Sequence, residues 1–411
     1  MRITRIEATN YKSFKNLQTE FDDFTLIVGA NASGKSNLMS IFKFIKDIML
    51  EGLDDAVALQ GGIDYLSNAN SPKGTPIRIS FDLDFNNEHW FMRKDAVSVK
   101  PCSFSYQFEI TPHLRGKKYN ITYDELKIVF ENYKREKIEG KRKYEMISLN
   151  EKQTCVITKK SANSKYEING DIFRDIEFLL DDLYTAKNEI LLYRLSYFLP
   201  PLFSEENLIK VYDFDPQKLK QSCMISTRKV LESDGANLAS VLQSVLSSKD
   251  DYHKFIRLLN NALPFIKKID VERNYDQSYA YKIGEKYSRK IFYSNYLSDG
   301  TVSIIAIIVA LYFQNQSDIV IIEEPERNIH PKLLGAIVQM AKDVTTQKQV
   351  IFTTHNPEIL NNSNLGSIRF IHRDSEGYSI VTKPADSQKV EAFIKNELGI
   401  SELFMQNLLG E

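Results

Sequence analysis

The sequence predicts an α/β fold that carries an antiparallel β lobe and an inserted helical subdomain. Three observations predict it. The apolar run Phe24 to Val28 enters the stretch Gly29-Ala30-Asn31-Ala32-Ser33-Gly34-Lys35-Ser36 and leaves it in a helical pattern, Asn37 to Leu50. Beyond Lys290, strands and helices alternate, as in a parallel sheet covered on both faces. Between Ile77 and Thr158 the apolar period is two instead, and Gly116, Gly140 and Gly170 punctuate it as hairpin turns would.

Composition bounds the answer. With 411 residues there is room for two or three domains or one large domain with an insertion, and a sizeable core. A net charge of -1 and a pI near 6.6 exclude a uniformly basic nucleic-acid coat, so polyanion contacts must come from local patches. Cys102, Cys155 and Cys223 are far apart and form no CxxC pair, which argues against a zinc hook or disulfide framework and fits a reducing cytoplasm. The N-terminus, Met1 to Ile6, alternates like a strand and lacks the apolar core of a signal peptide. The most apolar run, Val302 to Phe313, is too short to span a bilayer, so no membrane partner is expected.

In chain order, residues 1–28 read as three short strands, with Asn10-Tyr11-Lys12-Ser13-Phe14 at the first turn. After the helix ending near Leu50 come alternating segments: Ile77 to Phe85, Phe104 to Ile110, Tyr119 to Phe130, Tyr144 to Asn150 and Thr154 to Thr158. At Ile172 the period changes. Ile172 to Ser196 and Asn237 to Ile266 carry apolar residues at three- and four-residue spacings, joined by the looser stretch Pro200 to Thr227. Neither sustains the heptads of a long coiled coil. A turn at Leu297 to Gly300 then leads into an apolar helix, the strand Ile319 to Ile322, a helix from Pro331 to Val344 and the strand Gln349 to Thr353; two strands and a short helix follow. The expected division is 1–171, an N-terminal lobe; 172–290, the helical insertion and its connection; and 291–411, a C-terminal lobe.

The glycine stretch has the chemistry of a phosphate loop. Its glycines let successive N–H groups curl around an anion, Lys35 can reach the β- and γ-phosphates, and the Ser36 hydroxyl can ligate Mg²⁺. The helix that follows adds its positive end. Ile319 to Ile322 runs into Glu323-Glu324-Pro325, two carboxylates where a buried strand leaves its sheet. Beside a phosphate loop, Glu323 suits Mg²⁺ and Glu324 a general base that polarises an attacking water; read alone, the pair is a solvated strand end. Leu297-Ser298-Asp299-Gly300 opens a second helix, either as an anion site or as an ordinary N-cap by Ser298 or Asp299. His355 follows a strand and precedes Asn356-Pro357, where an imidazole can bond a γ-phosphate oxygen or the attacking water.

In this order the motifs resemble the ABC-type ATPases of the SMC, RecF and OLD class. Gly29 to Ser36 matches Walker A, Leu297 to Thr301 the ABC signature, Ile319 to Glu324 Walker B, and His355 the switch histidine. Asn10 to Phe14 is similar to the N-terminal turn of RecF and SMC proteins, where Lys12 and Ser13 would lie near the phosphates. Tyr212-Asp213-Phe214-Asp215-Pro216, Asp234 to Leu238 and Glu397-Leu398-Gly399-Ile400 look more like Toprim-less, OLD-like ATPases of bacterial phage defence. The resemblance implies an ABC-type P-loop ATPase head that binds ATP and Mg²⁺ and hydrolyses ATP. It assigns Asn31, Gly34, Lys35, Ser36, Asn37, Lys12 and Ser13 to the nucleotide, Ser298 and Gly300 to the nucleotide of a partner subunit, and Ser36, Glu323 and the Q-loop candidate Gln60 to the metal. Glu324 and His355 would be catalytic. Two heads would close head to tail on ATP and open on hydrolysis.

Departures sharpen this picture. Glu323 stands where most such ATPases have Asp, and Asp299 stands where transporters have glycine, which argues against a transporter motor. Gln60, in Leu59-Gln60-Gly61-Gly62-Ile63, comes early for a Q-loop. OLD proteins continue into a Toprim nuclease, but only 56 residues follow His355, so an effector nuclease or toxin is expected on a separate chain. Asp82-Leu83-Asp84 and Asp213-Phe214-Asp215 read as strand and turn. From His113 to Lys165 there are fourteen Lys and Arg against seven Asp and Glu, with Lys134-Arg135 and Lys141-Arg142-Lys143 near turns and Tyr119, Tyr123, Tyr133 and Tyr144 between. That region is either a DNA-contacting rim, as in a RecF-like repair ATPase, or a set of solvated hairpins.

Overall fold

The computed structural model describes residues 1–85, 91–92, 97–116, 118–137, 144–170, 189–198, 209–226, 229–314, 317–388, 390 and 400–405. Contacts group the chain into two compact units: Met1–Phe21, Ser36–Leu208 and His372–Val381 form one, and Asp22–Lys35, Ile209–Ile371 and Thr382–Glu411 form the other.

The first unit is built on an antiparallel sheet. Strands β1 (Arg2–Tyr11), β2 (Phe14–Glu20), β4 (Ile77–Asp84), β6 (Val97–Pro112), β7 (Tyr119–Lys137), β8 (Tyr144–Lys159) and β9 (Glu167–Asn169) lie in the order β2-β1-β4-β6-β7-β8-β9, with β5 (Phe91–Met92) paired to β6. Period-two alternation puts Phe81, Phe104, Tyr106 and Phe108 on a buried face, their ring centroids 5.7 to 6.2 Å apart. Helix α1 (Lys35–Glu51) packs on that face through Phe44, 6.2 Å from Phe108 and 6.3 Å from Tyr11. The short helices α2 (Leu53–Leu59) and α3 (Ile63–Leu66) follow. The turn expected at Asn10 to Phe14 is present, with Asn10 (φ 56°) and Lys12 (φ 46°) left-handed.

Strand lengths needed correction. The expected strand Phe104 to Ile110 is part of a 16-residue strand, and Tyr144 to Asn150 and Thr154 to Thr158 are one strand, β8. Asn150 interrupts its alternation by taking φ 55°, close to a register shift against Glu131 and Tyr133, so a bulge had the look of a break. Lys141, Arg142 and Lys143 lie outside the described residues, as do most of the expected helix from Ile172 and the residues Glu397 to Gly399; α4 (Leu191–Phe198) is the described remainder of that helix.

The second unit holds β3 (Phe24–Val28), β10 (Ile209–Tyr212), β15 (Ile319–Glu323) and β16 (Gln349–Thr354) in parallel, in the order β10-β15-β16-β3, with Ile368 to Phe370 pairing in parallel on the far side of β3. Ile209 to Tyr212 fell within the looser stretch of the sequence reading; it is the edge strand beside β15. The expected helical segment from Asn237 is two helices, α6 (Leu238–Ser247) and α7 (Lys249–Ala262), separated at Ser248, which caps the second; the short helix α5 (Pro216–Lys220) precedes them. They adjoin a small antiparallel sheet that the periodicity did not disclose, β11 (Cys223–Met224), β12 (Ile266–Arg273), β13 (Ser278–Glu285) and β14 (Ile291–Tyr293).

The core of this unit is α8 (Asp299–Tyr312), whose residues Thr301 to Leu311 are all buried. A helix apolar on every side has to sit inside, and it packs with α7, with α9 (Leu334–Asp343) and with the sheet residues Val320, Ile322 and Phe352. The C-terminal helix α10 (Ile400–Met405) adds Leu403 to the same cluster.

Candidate functional site

In the second unit, three parallel strands end level with one another. Glu323 on β15 pairs with Thr353 on β16, and Thr353 pairs with Ile27 on β3. With neighbouring strands about 4.8 Å apart, the acid end of β15 and the start of the glycine loop lie at the same, C-terminal end of the parallel strands, about 10 Å from each other.

The loop is shaped for close approach. A Cβ on Gly29 would lie 2.3 Å from the Ile371 carbonyl and 2.6 Å from Ser33 Oγ, so only glycine fits. Its N–H donates to the Thr354 carbonyl at 3.2 Å, tying the loop to the end of β16. Ala32 (φ 61°) and Gly34 (φ 118°) alternate backbone hand, the arrangement that turns successive N–H groups toward an anion. Lys35, 9 % exposed, lies back along the loop: its Nζ donates to the carbonyls of Gly29 (2.7 Å) and Ala30 (2.9 Å). Burial pushes its ammonium down, against the opposing pull of Glu324 and Glu326. Asn31 and Ser36 are exposed. These residues fit a nucleotide phosphate: a concave backbone that excludes any side chain at Gly29, and a cation held by carbonyls that a phosphate would outcompete.

Glu324 takes φ 45°, a left-handed conformation costly for a residue with a side chain. Its N–H donates to the Thr353 carbonyl at 2.9 Å, and one carboxylate oxygen lies 2.8 Å from His355 Nδ1. The other accepts from Arg327 at 3.2 Å, and Arg327 also reaches Asp213 at 3.2 Å. Partial burial pushes the Glu324 carboxyl up, but His355 and Arg327 outweigh it and hold the group below its ordinary value. It is therefore ionised near neutrality, as a base must be.

Sequence reasoning missed Glu326 and Thr354. Glu326, 6 % exposed, accepts through Oε1 from the Thr354 hydroxyl, while its buried Oε2 has no hydrogen-bond partner among the described residues. Burial pushes its carboxyl up. A third acid so soon after a buried strand was the available signal.

Other expected residues gather in the first unit. Lys12 Nζ donates to Gln60 Oε1 at 2.8 Å, and burial pushes the Lys12 ammonium down. Gln60 follows the end of α2. Ser13 Oγ accepts from Asn37 Nδ2 and from Ser379 Oγ, each at 2.8 Å. The signature segment stands at the start of α8 in the second unit. Ser298 makes the N-cap, accepting from the Thr301 N–H at 3.2 Å; Asp299 pairs with Lys220; and a Cβ on Gly300 would lie 2.7 Å from the Asn328 carbonyl. In the remaining motifs Asp213 pairs with Arg327 as above, Asp215 caps α5 through the Gln217 N–H at 2.9 Å, and Asn237 holds Val230 (2.8 Å) and Glu232 (2.9 Å). In the basic region Tyr123 and Tyr133 donate to Glu125 and Glu131, and Lys134 pairs with Glu136.

A strand, phosphate loop and helix, a neighbouring strand ending in acids and a histidine bonded to the second acid define an ABC-type P-loop ATPase head. Solved structures share the fold. An SMC head bound to the C-winged helix domain of ScpA aligns with 93 % of this chain and 97 % of its own at 14 % identity and a TM-score of 0.53. A Pyrococcus furiosus SMC head with an extended coiled coil, bound to the C-terminal domain of ScpA, aligns with 96 % and 99 % at 12 % identity and 0.50. The chain belongs to the family described as "AAA domain, putative AbiEii toxin, Type IV TA system", matched over residues 24–89 and 66–361. Local similarity extends to structural maintenance of chromosomes protein 1 of Schizosaccharomyces pombe, 27 % identical over 104 residues, and of Arabidopsis thaliana, 48 % over 46 residues. Those stretches are 22 % and 11 % of this chain and only 8 % and 4 % of the relatives. Among the described residues no helix is long and apolar enough to cross a membrane.

Proposed function

We propose that this chain binds and hydrolyses ATP, closes into a nucleotide-gated head-to-tail dimer, and senses or controls a separate effector, a nuclease or toxin, in cytoplasmic anti-phage defence. The observation that carries the hydrolytic part is Glu324, a residue with left-handed backbone whose carboxylate is bonded to His355 and Arg327. Such strain persists where the surroundings impose it, most often at sites of function. In this reading Lys35 leaves its loop carbonyls for the phosphates; Asn31, Gly34 and Asn37, with Lys12 and Ser13, belong to the nucleotide. Ser36, Glu323 and Gln60 would hold Mg²⁺, which supplies charge neutralisation at the phosphates. Glu324 takes a proton from the attacking water, and His355 orients the carboxylate.

Ser298 and Gly300 serve the nucleotide of the partner subunit, so loss of the γ-phosphate removes attraction between two chains. The lobes 1–171 and 291–411 flanking the insertion 172–290 belong to the same proposal. Two things support an effector: the family description refers to a toxin and a toxin–antitoxin system, and both SMC heads of this fold were solved with a bound protein. Phosphate release by the parent and by Glu324→Gln tests the hydrolytic part. Removing a general base lowers turnover by about 100-fold or more. A variant turning over at the parental rate would take Glu324 out of that role.

A further inference from the structure

Glu326 has no part in the chemistry proposed above, yet it is costly to keep where it is. One carboxylate oxygen is buried without a hydrogen-bond partner among the described residues, and a leucine of similar size would fill the same space with no polar atom to satisfy. What the other oxygen does explains its retention. It accepts from the hydroxyl of Thr354, and the same hydroxyl accepts from the Asn356 N–H at 2.9 Å. The Thr354 carbonyl in turn accepts from the Gly29 N–H at 3.2 Å. Both residues flanking His355 are thus tied to one fully buried hydroxyl, and a β-branched side chain bonded on both sides keeps a single rotamer. Between them the half-exposed imidazole reaches Glu324.

We propose that Glu326 is a positioning residue for His355. By holding the Thr354 hydroxyl it fixes the turn from Thr354 to Asn356, and so sets the 2.8 Å approach of the imidazole to the Glu324 carboxylate. This rests on the reading of Glu324 and His355 as the hydrolytic pair. Its effect is on turnover, because displacing a group that orients the reacting centre costs rate before it costs binding.

The test uses the full chain with Glu326→Leu, Glu326→Gln and Thr354→Val. It reads the melting temperature, kcat and KM for ATP, and the His355 imidazole NMR resonance without nucleotide, assigned by comparison with His355→Gln. Glu326→Leu removes an unpaired buried oxygen but leaves the buried Thr354 hydroxyl without its acceptor, so it is expected to melt within a few degrees of the parent, to lose about tenfold or more in kcat with KM almost unchanged, and to shift the His355 resonance. Thr354→Val should repeat the loss, with no further loss in the double variant. Glu326→Gln keeps a carbonyl oxygen for Thr354 and should restore most of the rate. Parental kcat with an unmoved resonance in Glu326→Leu would overturn the proposal, as would a rate loss that Gln does not rescue and that comes with an unmoved resonance. If the parent itself releases no phosphate, the hydrolytic reading fails, and the resonance decides the positioning claim alone.

Discussion

Deep in the first unit, Asp124 on β7 is fully buried and surrounded by donors: Tyr106 to one oxygen, and Tyr166 (2.6 Å) and the Leu191 N–H (2.8 Å) to the other. The Tyr106 oxygen also accepts from the Leu192 N–H at 3.2 Å, so the cluster clips the start of α4 to the sheet. Burial outweighs these donors and raises the carboxyl from 3.8 to about 6. The folded chain therefore holds a proton that the unfolded chain has already released, and stability from this group is present below pH 4 and lost as pH rises toward 6. A rise from 3.8 to about 6 corresponds to about 3 kcal/mol over that window. Asp124→Asn cannot titrate, so urea unfolding of both proteins, followed by circular dichroism from pH 4 to pH 8, isolates the effect. Part of that loss precedes pH 4, so the parent's stability relative to the variant should fall by about 2 kcal/mol between pH 4 and pH 7, then level off. A difference independent of pH would refute the reasoning.

Gly29→Ala would press a methyl against the Ile371 carbonyl, a backbone atom that cannot rotate aside, so destabilisation of about 3 kcal/mol is expected, seen as a melting temperature lower by several degrees; a parental melting temperature would contradict the packing described. Lys35→Ala removes a charge-assisted contact worth about 1.5–3 kcal/mol, so titration with a fluorescent ATP analogue should show binding weakened about 10- to 100-fold; unchanged affinity would separate Lys35 from the nucleotide. Tyr296 is 76 % exposed and two residues before Ser298, so in the proposed head-to-tail dimer it would lie in the interface. Tyr296→Ala should weaken ATP-dependent association by about 2 kcal/mol in analytical ultracentrifugation, while a variant that associates like the parent would put the interface elsewhere.

What could be read from the sequence was local. The phosphate loop, the acid-tipped strand and the apolar helix each carry their signal within a dozen residues, and each folds as read. Ile209 to Tyr212 was missed because four residues within a stretch of sequence without periodicity carry no distinctive signal, and they become a strand only through pairing with β15. The small sheet from β11 to β14 depends likewise on pairing between distant residues, such as Cys223 with Tyr279. The site divides the same way. Glu323, Glu324 and His355 were marked by strand ends, whereas Glu326 was signalled only as a third acid after the strand, and its bond to Thr354, 28 positions away, has no sequence pattern. Arg327 was invisible for the same reason: its partner Asp213 comes from a different strand end.

The central claim is that ATP closes two heads on each other and that Glu324 lets them reopen. Light scattering measures it directly, giving the mass of the parent and of Glu324→Gln alone and with ATP and Mg²⁺. The account predicts a mass that doubles with ATP, transiently in the parent and lastingly in the variant. An assembly whose mass is the same in both proteins, with or without nucleotide, would contradict it.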